Sequence, residues 1–120
     1  MHELSVAQGI LDLVQHHVPE DQARDVREVT VRIGALSGIV ADSLEFCFSA
    51  IVAGTPYDGA SLAIERVPTR ATCNGCSREF GIEELVFRCP HCGGPSIRVV
   101  SGDELQVTSV ELADPEPETT

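Results

Sequence analysis

The chain has 120 residues, a length that suits one domain with a small attached module. Hydrophobic residues make up 42% of it, but only 4% are aromatic, so its core must be built mainly from aliphatic side chains. All eight basic residues are arginine against 19 acidic ones, and this net charge of −11 argues against nucleic-acid binding, which requires basic surface. The sequence shows neither a membrane span nor an export signal, so we expect a cytoplasmic protein.

The first predicted element is an amphipathic helix over residues 1–18. Its apolar residues recur at steps of three and four from Leu4 to Val18, which places them on one stripe. Pro19 is expected to end the helix, because proline disfavours helical geometry in the residue before it. We expect Leu4 to be the first core residue and Gly9 to be a position of close packing.

Two strands and a second helix are predicted next. After a polar loop, alternating apolar residues over 29–33 predict a half-buried strand. A helix is expected to begin near Asp42, which with Glu45 three residues later resembles a capping box, and to end before Gly54. Residues 62–64 again alternate and predict a second strand.

Four of the five cysteines form two C-x-x-C turns that are separated by 12 residues: Cys73, Cys76, Cys89 and Cys92. We call these four residues the cysteine quartet. In a chain without an export signal, this spacing predicts metal ligation rather than disulfides. Zinc is the first choice and iron is the rival, because thiolate softness and tetrahedral geometry suit both. A closed set of four thiolates has no open position for a substrate, so we expect a structural site. Cys47 is expected to be a buried, inert thiol.

The remaining strand candidate covers residues 104–112, beyond the quartet. Because two strands make a marginal sheet, we expect this strand to return to the sheet of the body. The predicted fold is therefore α+β: a small mixed sheet of about three strands with two helices, plus an inserted zinc-ribbon-like module. The predicted domains are a body of residues 1–69 with 99–113, a zinc module of 70–98, and a disordered acidic tail of 114–120.

A second candidate metal site lies at the start of the sequence. An α-amine at Met1, the next amide nitrogen and the imidazole of His2 could chelate one ion, and Glu3 could add a further donor. Such a nitrogen-rich set favours Ni(II) or Cu(II) over zinc. Taken alone, a histidine at position 2 is a weak signal.

The order of motifs along the chain resembles the HypA/HybF family of nickel-insertion accessory proteins. The resemblance begins with Met-His-Glu-Leu-Ser and continues through Val-x-Val-x-Ile-Gly, Leu-Glu-Phe-x-Phe and Gly-Thr-Pro to the two C-x-x-C turns. It implies that His2 is the main nickel ligand, with Met1 and Glu3 contributing, and that the cysteine quartet holds structural zinc. The family's histidines beside the cysteine turns are represented here only by His91, which is interpreted either as a solvated turn residue or as a neighbour that perturbs the zinc site.

The function that the resemblance implies is a metallochaperone, not an enzyme. It would take Ni(II) and deliver it to the [NiFe]-hydrogenase large subunit during maturation. The implied partners are the nickel-handling GTPase HypB and the large-subunit precursor, and some family members also serve urease with its accessory proteins. The alternatives are a small iron-thiolate electron-transfer protein and a zinc-ribbon adaptor. Arginines of the module, including Arg78, Arg88 and Arg98, are read either as ion-pair partners or as a docking face for protein.

Overall fold

The computed structural model describes residues 2–83 and 85–113. Its elements in chain order are α1 (Glu3–His17), a 3₁₀ helix (Glu20–Asp25), β1 (Val26–Gly34), a short 3₁₀ turn (Ala35–Ser37), α2 (Ala41–Val52), β2 (Ser61–Val67), β3 (Arg70–Cys73), β4 (Glu79–Gly81), β5 (Ile97–Ser101) and β6 (Leu105–Leu112). Neither α-helix in this described part is long and apolar enough to span a bilayer. The predicted polar loop before β1 is mostly a 3₁₀ helix, and the predicted acidic tail lies outside the described residues.

The fold is α+β, as the sequence predicted. One sheet has the strand order β2-β1-β6, so the last strand of the chain pairs with the first. The four-cysteine segment lies between β2 and β6 along the chain and has a sheet of its own, with the order β4-β3-β5. The cysteine module is therefore an insertion into the sequence of the body.

Helix α1 contributes the largest set of buried side chains in the body: Val6, Ala7, Ile10, Leu11 and Val14. It packs against α2, which buries Leu44, Phe48 and Val52. Two expectations for α1 are wrong. Leu4 is 56% exposed, because it lies at the edge of the apolar stripe in the first turn of the helix. Gly9 is exposed and a methyl group added there would meet no atom within 4 Å, so this glycine is not a packing position.

Helix α2 begins one residue before the predicted start. Its N-cap is Val40, which is extended and makes no side-chain hydrogen bond, so the predicted capping box of Asp42 and Glu45 is wrong. Asp42 is the second residue of the helix. From there its side chain does not accept hydrogen bonds from the first backbone amides of the helix in the way that an N-cap residue does. Gly54, with a φ of 77°, lies just beyond the end of the helix, where only glycine adopts this conformation without strain.

The module's sheet is antiparallel. Strand β3 pairs with β4 through Ala71 and Phe80, and with β5 through Cys73 and Ile97. The predicted boundary between residues 98 and 99 falls within β5, which belongs with the module's sheet. By contacts, the chain divides into one unit of residues 1–31, 39–64 and 107–120 and a second of residues 32–38 and 65–106.

The second unit contains a close backbone crossing between Gly34 and the segment that precedes β6. Gly34 N–H donates to the Glu104 carbonyl at 2.8 Å, and Leu36 N–H donates to the Gly102 carbonyl at 2.7 Å. A methyl group added to Gly34 would overlap the Gly102 carbonyl. Gly102 itself, with a φ of 117°, leaves only 2.6 Å between an added methyl and the Thr69 hydroxyl. Glycine is required at both positions because two backbones meet with no room for a side chain.

Candidate metal centres

The cysteine quartet converges on one point. Its four sulfur atoms all lie within 4.8 Å of one another, and among residues 2–83 and 85–113 no other group of three or more potential ligands converges in this way. Cys73 Sγ lies 3.5 Å from Cys92 Sγ, and Cys76 Sγ lies 3.7 Å from Cys89 Sγ. A tetrahedron of sulfurs at about 2.3 Å from zinc has edges of about 3.8 Å. The donor set and its geometry therefore fit a tetrahedral thiolate metal site.

The two C-x-x-C turns have the same backbone conformation. In each turn the residue after the second cysteine is left-handed: Ser77 has a φ of 63° and Gly93 a φ of 74°. Each of these residues donates its N–H to the carbonyl of the first cysteine of its turn, Cys73 or Cys89, at 2.9 Å. The shared conformation directs both sulfurs of each turn to the same side, and the two turns together supply the four corners of the site.

Two of the thiols have lowered pKa values. The N–H of Cys76, 3.4 Å from the Cys73 sulfur, is the main cause that lowers the pKa of Cys73 to about 6. Burial raises the pKa of Cys89, but the backbone N–H groups of Cys92 and His91 outweigh it and lower this pKa below its usual range. An N–H that points at a sulfur stabilises the thiolate, so these two residues are prepared as anionic ligands.

The other two thiols have raised pKa values. A backbone N–H lowers the pKa of Cys76, but burial and the sulfurs of Cys89 and Cys73 outweigh it, and the net shift is upward. The Gly94 N–H lowers the pKa of Cys92, but the sulfurs of Cys73 and Cys89 raise it to about 11. Four thiolates this close repel one another without a cation, which indicates that a bound metal ion is needed for all four to ionise.

The module has little apolar core apart from the cysteines. Its buried cluster consists of Ala71, Cys73, Phe80 and Cys89, so two of the four residues are themselves members of the quartet. A segment of this size rarely holds its fold by apolar burial alone. Two members of the candidate metal site therefore also lie at the centre of the module's packing.

His91 and Cys47 differ from the quartet. His91 is exposed, its N–H donates to the Cys89 sulfur at 3.4 Å, and its Nδ1 lies 3.4 Å from Arg78 Nη1. The ring therefore has an arginine as its neighbour. Cys47 is only partly buried on α2, so the expectation of a fully buried thiol is wrong.

The N-terminal candidate ligands lie at the beginning of α1. His2 is the N-cap residue, exposed and extended (φ −82°, ψ 139°), and its carbonyl accepts the N–H of Val6 at 3.1 Å. Glu3 is the first helical residue and is half-buried, whereas Met1 lies outside the described residues. The first amides of a helix have no intrahelical acceptor. The amide nitrogens of His2 and Glu3 are thus free of helical hydrogen bonds.

Several features of the site were not apparent from the sequence. The hydrophobic pattern of the sequence gave no indication of the short strands β3 and β4 or of the left-handed conformation of Ser77. It also did not predict that Leu85, Val86 and Phe87, just before the second turn, are all exposed. A run of three apolar residues ordinarily signals burial. The one indication of a loop in the sequence is that this run ends two residues before Cys89, where the second cysteine turn begins.

The fold and the four-thiolate centre define a small metal-binding protein in which a ribbon is inserted into an α+β body. The model of the family described as "Hydrogenase/urease nickel incorporation, metallochaperone, hypA" matches residues 1–112. The chain belongs to this HypA family of nickel metallochaperones, whose members act in hydrogenase maturation and are not enzymes.

Similar proteins support this assignment along nearly the whole length. The hydrogenase maturation factor HypA of Geobacter metallireducens is 43% identical over 112 residues, which cover 93% of this chain and 99% of that one. The HypA of Streptomyces avermitilis is 44% identical over 118 residues, covering 95% and 88%. The solution structure of the Ni metallochaperone HypA from Helicobacter pylori is 25% identical, with a TM-score of 0.64 and coverage of 94% and 98%.

Proposed function

We propose that this chain is a cytoplasmic metallochaperone that binds Ni(II) through His2 and delivers it to the large subunit of a [NiFe] hydrogenase. The observation that carries the proposal is the placement of His2. Its imidazole is exposed at the N-cap of α1, next to amide nitrogens that the helix does not use. Nitrogen donors of this kind suit Ni(II), and a ligand set that precedes the first helical turn can release its ion without unfolding the helix.

The proposed ligand set has a main member and two contributors. His2 supplies the imidazole, while the Met1 amine and Glu3 complete the set around the same ion. The cysteine quartet, Cys73, Cys76, Cys89 and Cys92, holds zinc in a structural role. These are separate tasks: the four-thiolate site retains its ion, whereas the nitrogen site transfers its cargo.

The partners that we propose are the GTPase HypB, which handles nickel, and the hydrogenase large-subunit precursor, which receives it. Urease maturation through its accessory proteins is a second destination, supported by the family description. Delivery can be measured by mixing the nickel-loaded chain with purified HypB, GTP and the precursor, and determining which protein retains nickel after separation. Nickel that stays with the chain under these conditions would contradict the delivery step.

The first prediction concerns the nickel ligands. Replacing His2 by alanine should weaken nickel binding at least tenfold, because it removes the imidazole from the chelate. The matched control is His16→Ala, which removes an exposed histidine in the last turn of the same helix. Calorimetric titration of the zinc-loaded proteins measures the effect, and elemental analysis should find one zinc per chain in all of them. Undiminished nickel binding by the His2→Ala protein would refute the site.

The absence of lysine makes it feasible to test the amine separately. In a chain that begins at Met1, the α-amine is the one primary amine, so an amine-acetylating reagent reaches it without modifying any side-chain amine. Acetylation should weaken nickel binding about as much as His2→Ala if amine and imidazole chelate together. If acetylation has no effect while His2→Ala removes binding, the site uses side chains and not the amine.

A further inference from the structure

The body contains a hollow between the end of α1, the 3₁₀ helix that follows it and the loop that follows α2. Its volume is about 310 Å³, and it is lined by Gln15, Val18, Glu20, Ala23, Pro56 and Tyr57. We call these six residues the tyrosine hollow. Val18, Ala23 and Tyr57 are buried and therefore form its floor, whereas the other three residues are exposed and form its rim. Its size is at the lower end of the range for ligand-binding sites.

Two walls of the tyrosine hollow are fixed by hydrogen bonds. In the wall formed by the 3₁₀ helix, Gln22 N–H donates to the Pro19 carbonyl at 2.9 Å. In the opposite wall, the Thr55 hydroxyl donates to the Val52 carbonyl at 2.6 Å and accepts the N–H of Tyr57 at 3.1 Å, which ties the loop to the end of α2. A hollow held in this way is formed before any ligand binds, so little entropy is lost in ordering it.

The charge around the tyrosine hollow is negative. Among the described residues that line it, Glu20 is the only charged one. Residues 12–25 contain four carboxylates and one arginine, and residues 54–59 contain one carboxylate and no basic residue. Residues 114–120 lie outside the described part of the chain, but they contain three acidic residues and no basic one, so they cannot reverse this sign. The hollow therefore attracts a cationic group.

A second hollow adjoins the first at Pro56, which lines both. Its volume is about 530 Å³, and its lining is completed by Arg24, Gly54, Thr55, Asp58 and Gly59. The two charged residues of this lining have opposite signs, and the Asp58 carboxylate also accepts the N–H of Gly54 at 3.2 Å. The second hollow thus carries no net charge, and it leaves room for an uncharged stretch of chain beside the cation.

We propose that the tyrosine hollow binds an arginine side chain on an exposed segment of a partner protein, and that the second hollow takes the backbone beside that arginine. The methylene groups of the arginine pack on the apolar floor, while its guanidinium pairs with the Glu20 carboxylate and donates to the Gln15 amide oxygen. Arginine suits these groups better than lysine, because its planar guanidinium donates to two acceptors at once and stacks on aromatic rings. The proposal holds whichever cation the N-terminus binds.

The test uses the zinc-loaded full chain and three capped peptides of sequence Gly-Ser-x-Ser-Gly. The central residue is arginine, leucine or citrulline, which has the shape of arginine without its charge. Amide chemical shifts of the ¹⁵N-labelled protein report where each peptide binds. We expect the arginine peptide to shift amides within residues 18–23 and 55–59, and the other two peptides to leave them unchanged. Propylguanidinium, the same cation without a backbone, should bind several-fold more weakly; equal affinity would contradict a site for a protein segment.

Two variants and a matched control complete the experiment. Glu20→Gln should weaken binding of the arginine peptide about threefold, and Glu20→Arg at least fivefold, since it replaces an attraction by a repulsion. Asp21→Asn is the control, because Asp21 is an exposed carboxylate of the same 3₁₀ helix that does not line the hollow. The proposal is overturned if Asp21→Asn weakens binding as much as Glu20→Gln, if the citrulline peptide binds as tightly as the arginine peptide, or if the shifts arise elsewhere on the chain.

Discussion

Two glycines of this chain illustrate how differently the same residue can be used. Gly34, at the end of β1, meets the backbone of Gly102 and Asp103 so closely that no side chain fits. Gly9, in the middle of α1, has open space on its outer side. The sequence does not distinguish them, because Gly9 lies within an amphipathic stretch and Gly34 lies at the end of one. Only the three-dimensional crossing of distant segments makes one of them indispensable.

We therefore predict opposite effects for the same substitution at these positions. Gly34→Ala should lower the free energy of unfolding by about 3 kcal/mol, since the added methyl overlaps backbone atoms that cannot move independently. Gly9→Ala should raise it by about 1 kcal/mol, because alanine favours the helix and meets no neighbour. Urea denaturation of the zinc-loaded proteins measures both changes. A Gly34→Ala protein as stable as the parent would contradict the crossing of Gly34 with Gly102.

Among the elements, the two cysteine turns carry the clearest chemical consequence. Their backbone N–H groups lower the pKa of Cys73 to about 6, whereas crowding by neighbouring sulfurs raises that of Cys92 to about 11. The pKa of Cys89 is also lowered and that of Cys76 is raised. The metal-free module therefore exists near neutral pH with some thiolates already formed and the rest protonated.

This division predicts the number of protons that zinc displaces. Cys76 and Cys92, whose pKa values are raised, each lose one proton on binding, and Cys73, with a pKa of about 6, has already lost its proton. Cys89 adds at most one, so about two to three protons should be released near pH 7.5. Calorimetry in buffers of different ionisation enthalpy gives this number. It should increase as the pH falls through about 6, where Cys73 becomes protonated in the metal-free chain. Release of all four protons at neutral pH would show that the N–H groups do not stabilise the thiolates as described.

The elements also show what local sequence can and cannot predict. Periodicity located α1, β1, α2 and β2, because each of them buries apolar side chains, and the spacing of the cysteines predicted their convergence. Strands β3 and β4 are only four and three residues long, too short for any period to be detected. The capping box failed because the N-cap lies two residues earlier, at Val40, which places Asp42 inside the helix. The exposure of Leu85, Val86 and Phe87 could not be predicted, since a run of apolar residues ordinarily indicates burial.

For the whole molecule, the decisive feature is that β6 completes the sheet that β1 and β2 begin. A chain ending at Gly102 lacks this strand and should lose the cooperative unfolding of its body, because two strands make a marginal sheet. A chain ending at Ala113 keeps every helix and strand of the part of the chain that the structure describes, and it serves as the control. Circular dichroism during denaturation and amide hydrogen exchange measure the cooperativity of unfolding in the two proteins. An intact body in the shorter chain would contradict the strand order β2-β1-β6.

The insertion also has a consequence for the rate at which the chain folds. Pairing β6 with the sheet requires closing the long loop of residues 68–104, but a preformed module reduces the flexible part to the few residues on either side of it. The entropy of loop closure depends on the logarithm of length, so this shortening lowers the closure cost by about 2 kcal/mol. If closure limits the rate, refolding followed by stopped-flow should be roughly thirtyfold faster with zinc present than with a chelator. Zinc binding in the module would then accelerate formation of the sheet β2-β1-β6, to which the module contributes no strand.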